Sequence, residues 1–337
     1  MHLARITLVG IWLIAAAAAF AQNETPTDGP TEGPPRDPLL DRMQHRIDDT
    51  VWRSAMMIDH LFGSQYDASV YQKGVRGSIA PILLWDEFNQ FTPRLRFNVE
   101  LPLPQLNERF NAFIGRVNRD ELVTERGEQS STFRRQFGPA PDEQTIFGIS
   151  YRAAPKQGWS PDAGVGVRLQ IPLDPYFKAG YVYHHGAGED MQFSFRQTGF
   201  WQESEGVGTT SRVDIERLFA GPWLLHWTNS ATLSQESLGV RGYSSVMALR
   251  GFPGRRALAV AIGFNGETDA EVPMQDYGIK VAWRKGIARD WLVLELRASL
   301  DYPREKLEQT REPSWGVGIG FEMSFGTTEF LARPITF

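Results

Sequence analysis

From Val70 to Phe325 the chain repeats with a period of two. Arg94, Arg96, Asn98 and Glu100 alternate with Leu95, Phe97, Val99 and Leu101. Gly164, Gly166, Arg168 and Gln170 alternate with Val165, Val167, Leu169 and Ile171. Val293, Glu295, Arg297, Ser299 and Asp301 alternate with Leu292, Leu294, Leu296, Ala298 and Leu300, and the stretches Asp276 to Arg284 and Gly316 to Phe325 do the same. Successive side chains of a strand point to opposite faces, so this spacing builds strands with one apolar and one polar face. Segments of about ten residues with that alternation, separated by turn residues, are the signature of a transmembrane barrel. One such segment says little; a long series constrains the fold.

Fourteen strands are predicted, near 70–85, 91–103, 111–119, 144–153, 163–173, 175–185, 190–202, 209–219, 223–235, 238–250, 255–266, 275–285, 290–302 and 313–325. The first, and the pair flanking Pro172-Leu173-Asp174-Pro175, alternate least cleanly, which leaves twelve as the other count. The expected fold class is all-β: an antiparallel up-and-down transmembrane β-barrel over 70–325, preceded by an amphipathic helix. A secreted β-sandwich or jelly roll would show the same alternation with its faces exchanged, the apolar side in the core and the charged side in water.

For a barrel, magnitudes orient the faces. Arg94, Arg96, Arg116, Arg152, Arg168, Lys178, Arg196, Arg212, Lys280, Arg284 and Arg297 are assigned to the polar phase. Each Arg or Lys turned to lipid costs about 2–4 kcal/mol at the midplane and less near the interfaces. Half of them at depth would rival the ~5–15 kcal/mol that stabilises a typical fold. The polar phase therefore points inward. Trp85, Trp201, Trp223, Trp283, Trp291 and Trp315 fall near strand ends, where aromatics form interfacial girdles.

The chain begins with Arg5, an apolar run from Ile6 to Ala18, and Ala19-Phe20-Ala21, the three-part layout of a secretory signal peptide over 1–21. No later stretch approaches the roughly 20 consecutive apolar residues of a spanning helix. Residues 22–38, with Pro26, Pro30, Pro34, Pro35 and Pro38, read as a disordered leader. In 39–63, Leu40, Met43, Ile47, Val51, Ala55, Ile58 and Phe62 recur at helical spacing and Gly63 stops the run. This amphipathic helix is expected either to cap the periplasmic mouth or to plug the lumen. Ala220-Gly221-Pro222, the turn from Phe252 to Gly254 and Ile287-Ala288-Arg289 are short, as periplasmic turns are; 120–143, 203–208, 267–274 and 303–312 are longer and polar, as external loops are.

The stretch Gly316 to Phe325, alternating apolar residues that end in an aromatic, resembles the barrel-assembly signal of Gram-negative outer-membrane β-barrels. In those proteins the signal ends the chain, whereas here a tail, 326–337, follows. The order of helix, Leu101-Pro102-Leu103-Pro104 and meander is also similar to uncharacterised proteobacterial barrels. The resemblance implies location in the outer membrane and two partners, outer-membrane lipids and the barrel-assembly machinery. It implies no activity.

Composition narrows the rest. With 35 Lys+Arg against 40 Asp+Glu, a formal charge of -5, the chain lacks the basic surplus of a nucleic-acid binder, and without cysteine it can form neither disulfides nor thiolate metal sites. The expected lumen is nevertheless cationic: eleven bases against Glu100, Asp214, Glu216, Glu295, Asp301 and Glu322 leave five positive charges. Rings of Arg and Lys favour anions, and Arg suits carboxylate or phosphate through its bidentate fork. A narrow or plugged channel for small anionic solutes is the first expectation, and a sealed structural or assembly barrel with an ion-paired interior the second.

A lipid hydrolase is the third. His226-Trp227-Thr228-Asn229-Ser230 loosely resembles outer-membrane phospholipases, which carry a His and a Ser two apart on one strand. Here Thr228 stands where Ser is expected, and Ser230 is about 13 Å from His226 along a strand. The strand phase also turns His226 inward. The other histidines, His2, His45, His60, His184 and His185, have no metal-ligand spacing, and no cofactor is called for.

Overall fold

The computed structural model describes residues 76–326, apart from 88–89, 104–108, 119–142, 187–189 and 220–222. The strands are β1 (Arg76–Asp86), β2 (Gln90–Pro102), β3 (Phe110–Asn118), β4 (Glu143–Arg152), β5 (Trp159–Arg168), β6 (Asp174–Gly186), β7 (Met191–Gln202), β8 (Gly206–Phe219), β9 (Trp223–Ser234), β10 (Arg241–Phe252), β11 (Arg256–Glu267), β12 (Met274–Gly286), β13 (Leu292–Asp301) and β14 (Ser314–Gly326). Each pairs antiparallel with its sequence neighbours, and β1 pairs with β14 from Arg76↔Gly326 to Asp86↔Gly316, so the sheet closes on itself. The count is fourteen, and no edge strand is left to aggregate. The expected signal peptide, leader, helix 39–63 and tail beyond Gly326 lie outside the described residues.

Leu83, Phe91, Val165, Phe177, Val207, Ile262, Phe264 and Phe321 are exposed on the outside, while Arg168, Lys178, Thr198, His226, Arg284, Glu295 and Glu322 are buried on the inside. A soluble sandwich would bury the first set and wet the second. That arrangement is overturned.

Boundaries moved where polar chemistry overrode the alternation. β5 runs from Trp159 to Arg168, not 163–173, because Arg168 turns onto the Asp174 carboxylate and Ile171-Pro172 leaves the ladder. The expected loop 203–208 contracts to 203–205, since β8 starts at Gly206. β10 starts late because Ser237 folds the preceding loop. Its Oγ accepts from Ser234 N at 2.9 Å and lies 2.8 Å from Gly239 O. Short connections thus occur at both ends, and 302–313 is the longest one described.

Trp85, Trp201 and Trp315 sit near the loop end, and Trp223 and Trp283 near the end where β1 begins and β14 finishes, called here the terminal end. Trp291 departs from the expected girdle: it is buried before β13, and its carbonyl accepts from Ser324 N at 2.9 Å. Trp159 takes a girdle place instead, with ring centroids 5.1 Å from Tyr181 and 4.7 Å from Tyr183.

Inward glycines make room for large inward side chains. Tyr176, 2% exposed, lies across Gly148 and Gly166 of the neighbouring strands. A Cβ on Gly166 would meet Phe147 O at 2.4 Å and Tyr176 Oη at 2.7 Å. Because one obstacle is backbone, Gly166→Ala is expected to destabilise the barrel by about 1–3 kcal/mol, read from its urea midpoint after refolding.

Candidate functional site

The lumen wall is the candidate site, and its polar groups fall into three sets. The first spans β12 to β14 and meets β1 and β2. Arg284 Nε is 3.2 Å from Glu295 Oε2, and the same guanidinium is bonded to Glu322; Arg297 Nε donates to Glu295 as well. Both carboxylates are buried. Arg94, Ile82, Gly320, Glu295 and Arg284 form one cross-strand row over five strands. Arg96 is close enough for its charge to act on Arg297. Inward residues of β14 here are Gly318 and Gly320, so its backbone leaves space that Ile82, Leu84 and the arginines occupy.

The second set lies across β4 to β9. Arg152 is opposite Asp162, and Arg196 Nη1 is 3.3 Å from Asp162 Oδ1. Arg196 is opposite Arg212, and each of these like charges has its own carboxylate: Arg212 Nε is 2.9 Å from Asp214 Oδ2. His226 Nε2 is 3.0 Å from Asp214 Oδ1 and Glu216 is opposite His226. Lys178 is buried on the same wall.

The third set closes the loop end. Asp174 receives Arg168, Gln202 Nε2 at 2.7 Å and both Ser204 N and Oγ, at 3.0 and 2.8 Å. Glu205 reaches in from the β7–β8 turn to Arg241 at 3.0 Å and Ser234 at 2.9 Å. Lys280 Nζ is 3.8 Å from Asp301.

Ten of the eleven expected lumen bases fall in the inward phase; for Arg116 the structure describes the backbone pairing, with Thr145. The segment Phe113-Ile114-Gly115-Arg116-Val117 is apolar in both phases, so its pattern carries no direction. Arg241 joins the inward bases. Asp86, Asp162, Asp174, Asp276 and Glu205 join the six expected acids. The expected surplus of five positive charges therefore shrinks to near balance. The acids escaped notice because Asp162 preceded the predicted strand and Asp174 and Glu205 sat in predicted connections. Three of the added acids, Asp86, Asp174 and Glu205, stand at the loop-end rim, whereas Arg94, Arg96, Arg196, Arg212 and Arg297 stand within their strands.

His226 and Thr228 face inward, as the strand phase requires, and His226 is engaged by Asp214 on the side away from lipid. His184 faces inward; His185 faces outward and stacks on Tyr183 with centroids 6.2 Å apart. His45 and His60 lie outside the described residues. Among the described residues no group of three or more His, Asp or Glu could hold a metal ion.

A closed sheet with a greasy outside and an ionic inside is a membrane-spanning β-barrel. No family model matches the chain, and no curated protein matches it. Solved structures similar to it are outer-membrane channels and porins. A high-pH structure of Pseudomonas putida OprB is 10% identical, with a TM-score of 0.49, covering 75% of this chain and 94% of that one. The anion-selective porin of Comamonas acidovorans is 11% identical, with a TM-score of 0.44, covering 74% and 98%. The outer membrane channel DcaP of Acinetobacter baumannii is 7% identical, with a TM-score of 0.46, covering 74% and 96%.

Proposed function

We propose that this chain is a narrow channel of the outer membrane that passes or binds small anionic solutes, its terminal end facing the periplasm. The barrel-assembly machinery would receive it through the last strand, where Phe325 packs with Val99, Leu101 and Ala112. The observation that carries the solute class is the pairing of Arg284 and Arg297 with Glu295 and Glu322 on the inner wall, in the cross-strand row that Arg94 shares beyond the glycines of β14. Guanidiniums fixed by neighbouring carboxylates present donors without needing to reorganise, and they suit carboxylate or phosphate. Acids at the loop-end rim keep that preference modest.

Reconstituted in a planar bilayer under a KCl gradient, the protein should give a reversal potential of anion-preferring sign. The R94E/R96E variant should reverse it. A cation-preferring record would overturn the anion reading. A silent record would favour the second reading, a sealed barrel, which the buried and ion-paired inner face also supports. Deleting residues 22–62 and recording again separates a plugged channel from a sealed one.

A further inference from the structure

The outward phase of the barrel is nearly free of charge, and its exceptions are not scattered. Every charged residue among the outward positions whose side chains are described is basic and lies at the terminal end of β8 to β12: Arg217, Arg250, Arg256 and Lys285. Arg250 is opposite Trp223, Trp223 is opposite Phe219, Phe252 is opposite Arg256, and Arg256 is opposite Lys285. Five adjacent strands at about 4.8 Å spacing make this one patch roughly 20 Å wide.

Aromatic faces hold two of the guanidiniums in place, and Arg256 Nε donates to the Pro253 carbonyl at 2.9 Å. Arg250 Cζ lies 5.4 Å from the Trp223 centroid and 4.9 Å from that of Phe252, and Arg217 Cζ lies 5.2 Å from the Phe219 centroid. The nearby Arg255 is different: its head bonds to Asp290 and to the carbonyl of Arg289, so it belongs to the turn. No outward carboxylate neutralises the patch among the described residues of these strands.

The geometry points to a binding site for anionic phospholipid headgroups at the terminal-end membrane interface. The position supplies the chemistry. Trp223 and Phe219 mark the boundary between hydrocarbon and water, where a lipid's phosphodiester lies in the plane of the guanidiniums. Arg binds phosphate through two parallel N–H donors, and clustered basic residues beside a membrane recruit anionic lipid. The acyl chains would then lie along the apolar outer face above the patch.

The test uses the full mature chain refolded in neutral detergent, with folding verified by heat-modifiable gel mobility. Native mass spectrometry reads retention of phosphatidylglycerol against phosphatidylcholine. The wild type should retain phosphatidylglycerol in preference, and R217Q/R250Q/R256Q/K285Q should lose about tenfold or more of that affinity. If the quadruple variant does not refold, R217Q/K285Q keeps the ring-packed Arg250 and should lose roughly threefold. Equal retention of the two lipids by the wild type, or unchanged retention by a folded variant, overturns the site. Displacement of the lipid by millimolar inorganic phosphate would reassign the patch to free anions. Tighter binding of polyglutamate than of phosphatidylglycerol would reassign it to an acidic protein. Either result overturns the lipid assignment.

Discussion

Glu322→Ala is expected to destabilise the refolded barrel by about 3–5 kcal/mol, the cost of removing one partner from a buried ion pair. Glu322 is 2% exposed and bonded to Arg284, which is itself buried and shares Glu295 with Arg297. Without Glu322, Glu295 must serve both guanidiniums, with Arg96 adding like charge nearby. The size of the effect comes from the uncompensated cation, not from the pair itself. A double-mutant cycle separates the two. R284M/E322L removes both charges and fills the same space, so it should recover most of the loss although it deletes more polar contacts. Urea titrations in lipid vesicles, with Cm and m reported for each variant, read this out. If E322A cost less than about 1 kcal/mol, the inner wall would be wet enough to solvate Arg284, and the lumen at this level would be wide.

The barrel was legible in the sequence because its period is two and its penalty for error is large. A one-residue slip in β13 would move Glu295 and Arg297 into lipid and Leu294 and Leu296 inside, so phase and side were fixed together. The pattern failed where this leverage was absent. β3 has apolar residues in both phases, so its alternation does not say which way Arg116 points. Asp174 and Glu205 fell in predicted connections, yet Asp174 opens β6 directly opposite Arg168, and Glu205 reaches from the β7–β8 turn to Arg241 of β10. Alternation reports which way a strand residue faces and says nothing of a turn that folds back over the mouth. The lumen therefore looked more cationic in the sequence than it is. The ion-pair partners were likewise illegible: Arg284 and Glu322 are 38 residues apart and meet across β13. The basic patch on the outside was missed for another reason. Arg217, Arg250, Arg256 and Lys285 lie at strand ends, where a charge on the lipid side costs little and leaves the alternation intact.

Ile262→Arg is expected to cost about 2–4 kcal/mol in lipid vesicles, and the same residue tests the orientation of the whole sheet. Ile262 is in the middle of β11, opposite Val246 and Ile279, and 62% of it is exposed on the outside. On the surface of a soluble protein such a substitution would change stability by no more than about 0.5 kcal/mol. The difference comes from the medium: hydrocarbon cannot solvate a guanidinium, so the side chain must snorkel or draw water inward. Depth gives the internal control. Leu258 is on the same face of β11, close to Arg256, where the barrel already places charge at the interface. Leu258→Arg should therefore cost only about 0–1 kcal/mol. A steep dependence between these two positions, two same-face steps or about 13 Å apart along the strand, is the behaviour of a bilayer and of no aqueous surface. If Ile262→Arg and Leu258→Arg unfolded at the same urea concentration as the wild type, the outer face would be in water and the channel reading would fall with it.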